Sequence, residues 1–219
     1  YEPTHTSVEL DVRGSRVKFD YPLIGRFNVS NVMTAFAIGM QLGFSQAGII
    51  AALEEAPQVP GRLERVSADH NGGVSVFVDY AHTPDALQKA MASIQNITKG
   101  RTIVVFGCGG DRDATKRSIM GRIALGADYA VVTSDNPRTE DPLAIINDIV
   151  SGMGEGTDHF EIEPDRRLAI AAAMKHTQPG DSILIAGKGH EDYQLVGDKV
   201  LSFDDRVVAA EELERAFGE

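Results

Sequence analysis

From Gly61 onward, short apolar runs alternate with stretches of helical spacing. Residues 74–78, 102–106, 129–133, 159–163 and 182–186 read as strands, and residues 84–97, 116–125, 142–152, 165–176 and 204–217 as helices. Repeated strand-then-helix units predict an α/β fold, a doubly wound and mostly parallel sheet with helices on both faces. Residues 194–196 and 200–203 turn at Gly197-Asp198 and are expected to add an antiparallel edge. The first sixty residues are patterned differently. Residues 7–12 and 16–20 alternate with the two-residue period of strands around Gly14-Ser15, which predicts a hairpin. Helices are expected over 32–42, capped by Ser30 or Asn31, and over 47–55, with 57–60 as a linker. Two domains follow, 1–60 and 61–219.

The bulk properties narrow the classes of partner. A hydrophobic content of 42% supports a substantial core. A net charge of -11 and a pI near 5.0 argue against nucleic acid. No apolar run approaches the ~18 residues that span a bilayer, so membrane insertion is not expected. The chain opens on Tyr1-Glu2-Pro3 without a signal-peptide pattern, and Cys108 is its single cysteine; both fit a cytoplasmic protein.

The chemistry concentrates in four strand-to-helix loops, which a parallel sheet brings to one edge. They are Asp79-Tyr80-Ala81-His82-Thr83-Pro84, Gly107-Cys108-Gly109-Gly110-Asp111-Arg112-Asp113, Ser134-Asp135-Asn136-Pro137-Arg138 and Gly187-Lys188-Gly189-His190-Glu191-Asp192. Asn136-Pro137 forms a stiff corner just before Arg138, and a guanidinium there suits bidentate capture of a carboxylate. The glycines of the second loop would let backbone amides approach an anion, although the order is not G-x-G-x-x-G. Cys108 reads as a small packing residue, and Lys116 and Arg117 as a solvated helix face. Arg112 and Arg138 could hold a carboxylate while Glu191 holds an ammonium, together describing a site for a zwitterionic amino acid. Solvent exposure of Lys188 and Glu191 is the alternative. Asp79 stands three residues before His82 and could orient it, or a metal-bound phosphate. No H-E-x-x-H or C-x-x-C motif is present, so no metal ligands are assigned. His5, His70, His159 and His176 are isolated.

Taken in order, Gly25-Arg26-Phe27-Asn28-Val29-Ser30-Asn31, Pro60-Gly61-Arg62-Leu63-Glu64, the loop at Asp79, the glycine loop and Gly187-Lys188-Gly189-His190-Glu191 resemble the C-terminal part of the Mur ligases. These are ATP-dependent, amide-forming enzymes of peptidoglycan precursor synthesis. Asp135-Asn136-Pro137-Arg138 looks like the recognition motif of members that add meso-diaminopimelate to UDP-N-acetylmuramoyl-L-alanyl-D-glutamate. The resemblance implies that Arg112 and Arg138 bind the distal carboxylate of diaminopimelate. Asp135, Asn136 and Pro137 would shape the pocket, and Gly187 and Glu191 would hold the distal amino end. It places Asn28 and Asn31 at the adenine, Arg62 and Asp79 at the phosphates and ribose, and His82 on the nucleotide side.

No G-x-x-x-x-G-K-[ST] occurs. In the family the ATP-gripping loop, the Mg2+ ligands, a carbamylated lysine and the UDP-binding domain lie upstream. The expectation is therefore a fragment without catalytic residues of its own: residues 1–60 as the tail of a central ATP-binding domain, 61–219 as an amino-acid-binding domain. The alternatives are a related ligase, such as a folylpolyglutamate or D-Ala-D-Ala-adding enzyme, a stand-alone amino-acid-binding module, and a dehydrogenase-type nucleotide domain. The arginine of the third loop disfavours the first, and the absent glycine fingerprint the last.

Overall fold

A computed structural model describes residues 5–12, 14–66, 71–154 and 158–218. The chain forms two compact units, residues 1–59 and 60–219.

In the first unit, β1 (Thr6–Val12) and β2 (Ser15–Tyr21) make the expected antiparallel hairpin, with Val8 opposite Phe19. Its inward-facing Val8, Val17, Phe19 and Tyr21 form a small core with Val32. The helix α1 spans Arg26–Gln41 and begins six residues earlier than expected. Ser30 and Asn31 therefore lie inside it and cap nothing. Gly25, at φ +96°, starts the helix without a side-chain cap. The polar residues of its first turns gave no apolar period to read. A second helix, α2 (Gln46–Glu54), is capped by Ser45, whose side chain accepts from Gly48 N.

The second unit is a six-stranded sheet in the order β3-β4-β8-β5-β6-β7. Its strands are β3 (Glu64–Val66), β4 (Ser75–Asp79), β5 (Thr102–Phe106), β6 (Tyr129–Val132), β7 (Phe160–Ile162) and β8 (Ser182–Ala186). The last five are parallel, and β3 pairs antiparallel with β4. The antiparallel edge is therefore β3, a three-residue strand too short to show a period. The expected hairpin exists as β9 (Tyr193–Val196) and β10 (Lys199–Ser202), but it forms its own two-stranded sheet.

Central strands buried on both faces explain the uninterrupted apolar runs. On one face, Ile103, Val105, Val131, Ile183 and Ile185 pack against α6 (Arg166–Lys175) and α7 (Asp205–Phe217). Alternation sends Phe77, Val104, Phe106 and Leu184 to the other face, where α3 (Pro84–Gln95), α4 (Thr115–Ala124) and α5 (Pro142–Val150) lie. Thr83, Asp141, Asp165 and Asp204 cap α3, α5, α6 and α7 through their side chains. Each cap satisfies backbone donors that the first turn leaves open, a contribution of about 1 kcal/mol.

Candidate functional site

The strand order sets the loops after β4, β8, β5 and β6 side by side. They enclose a cleft of about 490 Å³. Arg112, Asp135, Asn136, Arg138, Gly187 and Glu191 all line it, with His82 at the β4 side. Pro137 is buried behind the loop and does not line the cleft.

Asn136 is the junction of this site, 2% exposed and with both the oxygen and the nitrogen of its carboxamide engaged. Its Oδ1 accepts from Lys188 Nζ at 3.0 Å and from Leu195 N at 2.9 Å, and its Nδ2 donates to Glu191 Oε2 at 2.8 Å. Two donors on the oxygen leave the amide one orientation. Lys188 also reaches Glu191 Oε2, at 3.4 Å, and lies over the Tyr193 ring. Its side chain is 0% exposed, so the solvent-exposed alternative is excluded for Lys188. Burial pushes its ammonium below the usual lysine range, partly offset by the Asp135 carboxylate. Glu191 Oε1 takes no partner among the described residues, so one carboxylate oxygen is available to a cation.

Arg138 sits at φ +53°, a left-handed conformation uncommon for a side-chain-bearing residue. Its Nη1 donates to Gly110 O at 2.8 Å, and its Nη2 and Nε donors take no partner among the described residues. Arg112 is exposed at the rim, its Nη1 donating to Asp111 O. The cleft thus carries the guanidinium groups of Arg112 and Arg138, the Lys116 ammonium and the carboxylates of Asp113, Asp135 and Glu191.

Two of the β5 loop's glycines are required by packing. A Cβ on Gly110 would stand 1.9 Å from Pro137 O, and one on Gly107 2.3 Å from Thr133 O. The Gly110 amide donates to Asn136 O. These residues are small so that the β5 and β6 loops can lie against each other. Gly187 is constrained similarly, since a Cβ there would meet Asp135 Oδ2 at 2.4 Å. Arg117 is buried rather than solvated; it pairs with Glu140 and Asp148, tying α4 to the β6 loop and α5. Cys108 packs against Met120, its thiol pushed up to about 12 by burial.

At the β4 loop, the expected pairing of Asp79 with His82 is absent. Asp79 is buried, and its carboxylate accepts from Leu63 N at 2.8 Å. Desolvation raises its pKa, against the opposing Leu63 hydrogen bond and the Arg62 charge. His82 Nδ1 instead lies 2.8 Å from Tyr80 O. Arg62 is exposed, resting over the Tyr80 ring. In the first unit, Asn28 is buried and spends its amide on Ile24 O and Asn31, while Asn31 is exposed. Among the described residues, no three His, Cys, Asp or Glu side chains converge on a point that could hold a metal ion. His70 lies outside the described residues, and His176 stacks on Tyr129.

Two features of the site escaped sequence reading. Lys188 reads as a surface residue until its burial is seen. Arg166 makes a bidentate pair with Asp205, at 2.7 and 2.8 Å, with both side chains 0% exposed. The same guanidinium donates to Ser134 O and Ala186 O, pinning the β6 and β8 ends that lead into Asp135 and Gly187. Its one sequence signal is an arginine immediately after a helix cap.

Fold and cleft together define a doubly wound α/β ligand-binding domain with its site at the carboxyl ends of the strands. Residues 61–189 match the family described as Mur ligase, glutamate ligase domain. The chain belongs to the Mur ligase family. It is 48% identical over 218 residues to a UDP-N-acetylmuramoyl-L-alanyl-D-glutamate–2,6-diaminopimelate ligase of Synechocystis, covering 97% of this chain and 42% of the relative. A protein of the same name from Thermosynechococcus vestitus is 50% identical over 188 residues, covering 85% of this chain and 38% of that one. The chain therefore spans about two fifths of the length of these curated relatives. A solved structure of a ligase of that name superposes with a TM-score of 0.75 at 36% identity, over 98% of this chain and 44% of the other. The MurF ligase of Thermotoga maritima, solved with ADP, shares the fold at a TM-score of 0.63 and 18% identity, over 99% and 44% of the two chains. No helix among the described residues is long and apolar enough to cross a membrane.

Proposed function

We propose that the cleft binds meso-diaminopimelate and that the chain supplies the amino-acid-binding part of a cytoplasmic, ATP-dependent ligase. That ligase joins the amino acid to UDP-N-acetylmuramoyl-L-alanyl-D-glutamate. The observation that carries the reading is the pairing of opposite charges on adjacent loops: Arg138 with uncommitted donors, and Glu191 with an uncommitted oxygen. One zwitterionic end of the ligand needs both. Arg138 and Arg112 take its carboxylate. Glu191 takes its ammonium, beside the Gly187 backbone. Asp135 and Asn136 shape the pocket, with Pro137 stiffening the corner behind them.

Diaminopimelate carries two such ends, so gripping one leaves the other amine to react. In amide formation of this class, ATP phosphorylates the acceptor carboxylate. The amine attacks the acyl phosphate, the C–N bond forms and phosphate leaves. The chain's contribution is orientation of the attacking amine. Arg62, with its exposed guanidinium, and His82 face the nucleotide in this reading. Asp79 and Asn28 support the backbone beside them. Among the described residues, no cluster of His, Cys, Asp or Glu side chains could hold Mg2+.

Isothermal titration of the chain with meso-diaminopimelate and with L-lysine, which lacks the distal carboxylate, tests the reading. A desolvated charge contact is worth about 2–5 kcal/mol, so diaminopimelate should bind at least roughly 30-fold more tightly. Equal affinities would refute it.

A further inference from the structure

We propose that the β9–β10 hairpin is a specificity clasp. Its outward edge, Gln194 to Gly197, holds Asn136 and Arg138 in the geometry that reads the ligand's carboxylate, which makes Gln194 and Leu195 positioning residues. The proposal rests on the reading of the cleft given above.

In an antiparallel pair, alternate residues turn both backbone groups toward the partner strand and the others turn both away. Leu195 turns both away from β10 and toward the site. Its amide donates to Asn136 Oδ1 at 2.9 Å, and its carbonyl accepts from Arg138 N at 3.0 Å. Two residues on, Gly197 N donates to Arg138 O at 2.6 Å. Arg138 is thus held on both sides, in a parallel bridge with Val196. Gln194 Nε2 adds a fourth bond, to Asp135 O at 2.8 Å.

These bonds explain a conformation that the Asn136-Pro137 corner does not. Proline restricts the residue before it, not the one after. Arg138 nevertheless sits at φ +53°, which a non-glycine residue keeps only when its surroundings hold it there. The hairpin supplies that hold from outside the six-stranded sheet. It also fixes the recognition amide: with Leu195 N and Lys188 Nζ on Oδ1, the Asn136 NH2 group can turn only toward Glu191.

The test is Leu195→Pro, which deletes the amide donated to Asn136 without removing a β9–β10 ladder bond, with Gln194→Ala as a milder companion. Circular dichroism confirms folding, and titration gives the ratio of diaminopimelate to lysine affinity. Leu195→Pro should lower that ratio at least tenfold, and Gln194→Ala should lower it less. A merely structural role would weaken both ligands alike and leave the ratio unmoved. An unchanged ratio in folded Leu195→Pro overturns the clasp, as does an unchanged ratio in Gln194→Ala if the proline variant does not fold. A parent chain that does not prefer diaminopimelate overturns the reading of the cleft, and the clasp with it.

Discussion

Asp205→Asn isolates the buried pair beneath the site. The substitution keeps the shape of the side chain, so it opens no cavity. It removes the charge and turns one of two acceptors into an amide donor facing a guanidinium N–H. Arg166 would keep its bonds to Ser134 O and Ala186 O but lose its counter-charge in a place water does not reach. Breaking a buried pair from one side costs about 3–5 kcal/mol. Asp135 and Glu191 also stabilise the charge of Arg166, which points to the lower half of that range. A domain of this size has on the order of 5–15 kcal/mol in total, so the variant should fold with a thinner margin. The chain has no tryptophan, so urea unfolding is best followed by far-UV circular dichroism. With a slope of about 2 kcal/mol per molar urea, the midpoint should fall by roughly 1.5–2 M. Arg166→Met combined with Asp205→Asn removes the stranded charge and should cost no more than the single change. A loss below about 1 kcal/mol for Asp205→Asn, or a double loss equal to the sum of two large single ones, would refute the account.

Four further outcomes follow from the site. Glu191→Gln should weaken diaminopimelate much more than an analogue lacking the distal amine; equal losses would mean that Glu191 only supports its loop. For Lys188, burial lowers the folded-state pKa below the unfolded 10.5, so its charge penalises folding at neutral pH and the penalty is relieved as pH rises toward 10.5. Measured from pH 7 to 10.5, the urea midpoint of the parent should therefore gain on that of Lys188→Met, and a flat or opposite trend would count against it. Cys108, buried and with its thiol near 12, should resist iodoacetamide at pH 8 in the native state and react on unfolding, as intact mass would show. The chain alone should release no phosphate from ATP above background even with diaminopimelate present, because no glycine-rich loop of the P-loop type cradles the β- and γ-phosphates; sustained turnover would contradict this.

The legibility of the chain follows physical lines. β5 and β8 were readable to the residue because central parallel strands are buried on both faces and spelled in unbroken apolar runs. α3 and α5 announced themselves through Pro84 and Pro142. β3 was invisible, since three residues at a sheet edge carry no period. α1 was clipped because Ser30 and Asn31 look like caps, although Asn31 donates to Asn28 within the helix. Residues from four loops were assigned to one cleft through topology alone, and six of the seven substrate-side candidates line it. What topology could not reveal was which polar groups are already spent. Asp79 turns to Leu63, the Gly110 amide to Asn136, and Lys188 into the interior, and each of these facts depends on partners between 16 and 52 residues away.

The place of β8 has a consequence for how the molecule is made. It is the last strand of the large sheet to emerge from a ribosome, yet it lies between β4 and β5, in register with both at Ser182. Until it arrives, those two strands have no common neighbour, and two apolar edges wait unpaired, that of β4 until residues 80–181 have been made. The helices can form early, but the sheet closes in one late insertion. The nascent chain is exposed to edge-to-edge association up to that moment. The same insertion carries Lys188 and Glu191 into place, so the binding cleft and the finished sheet come into being together.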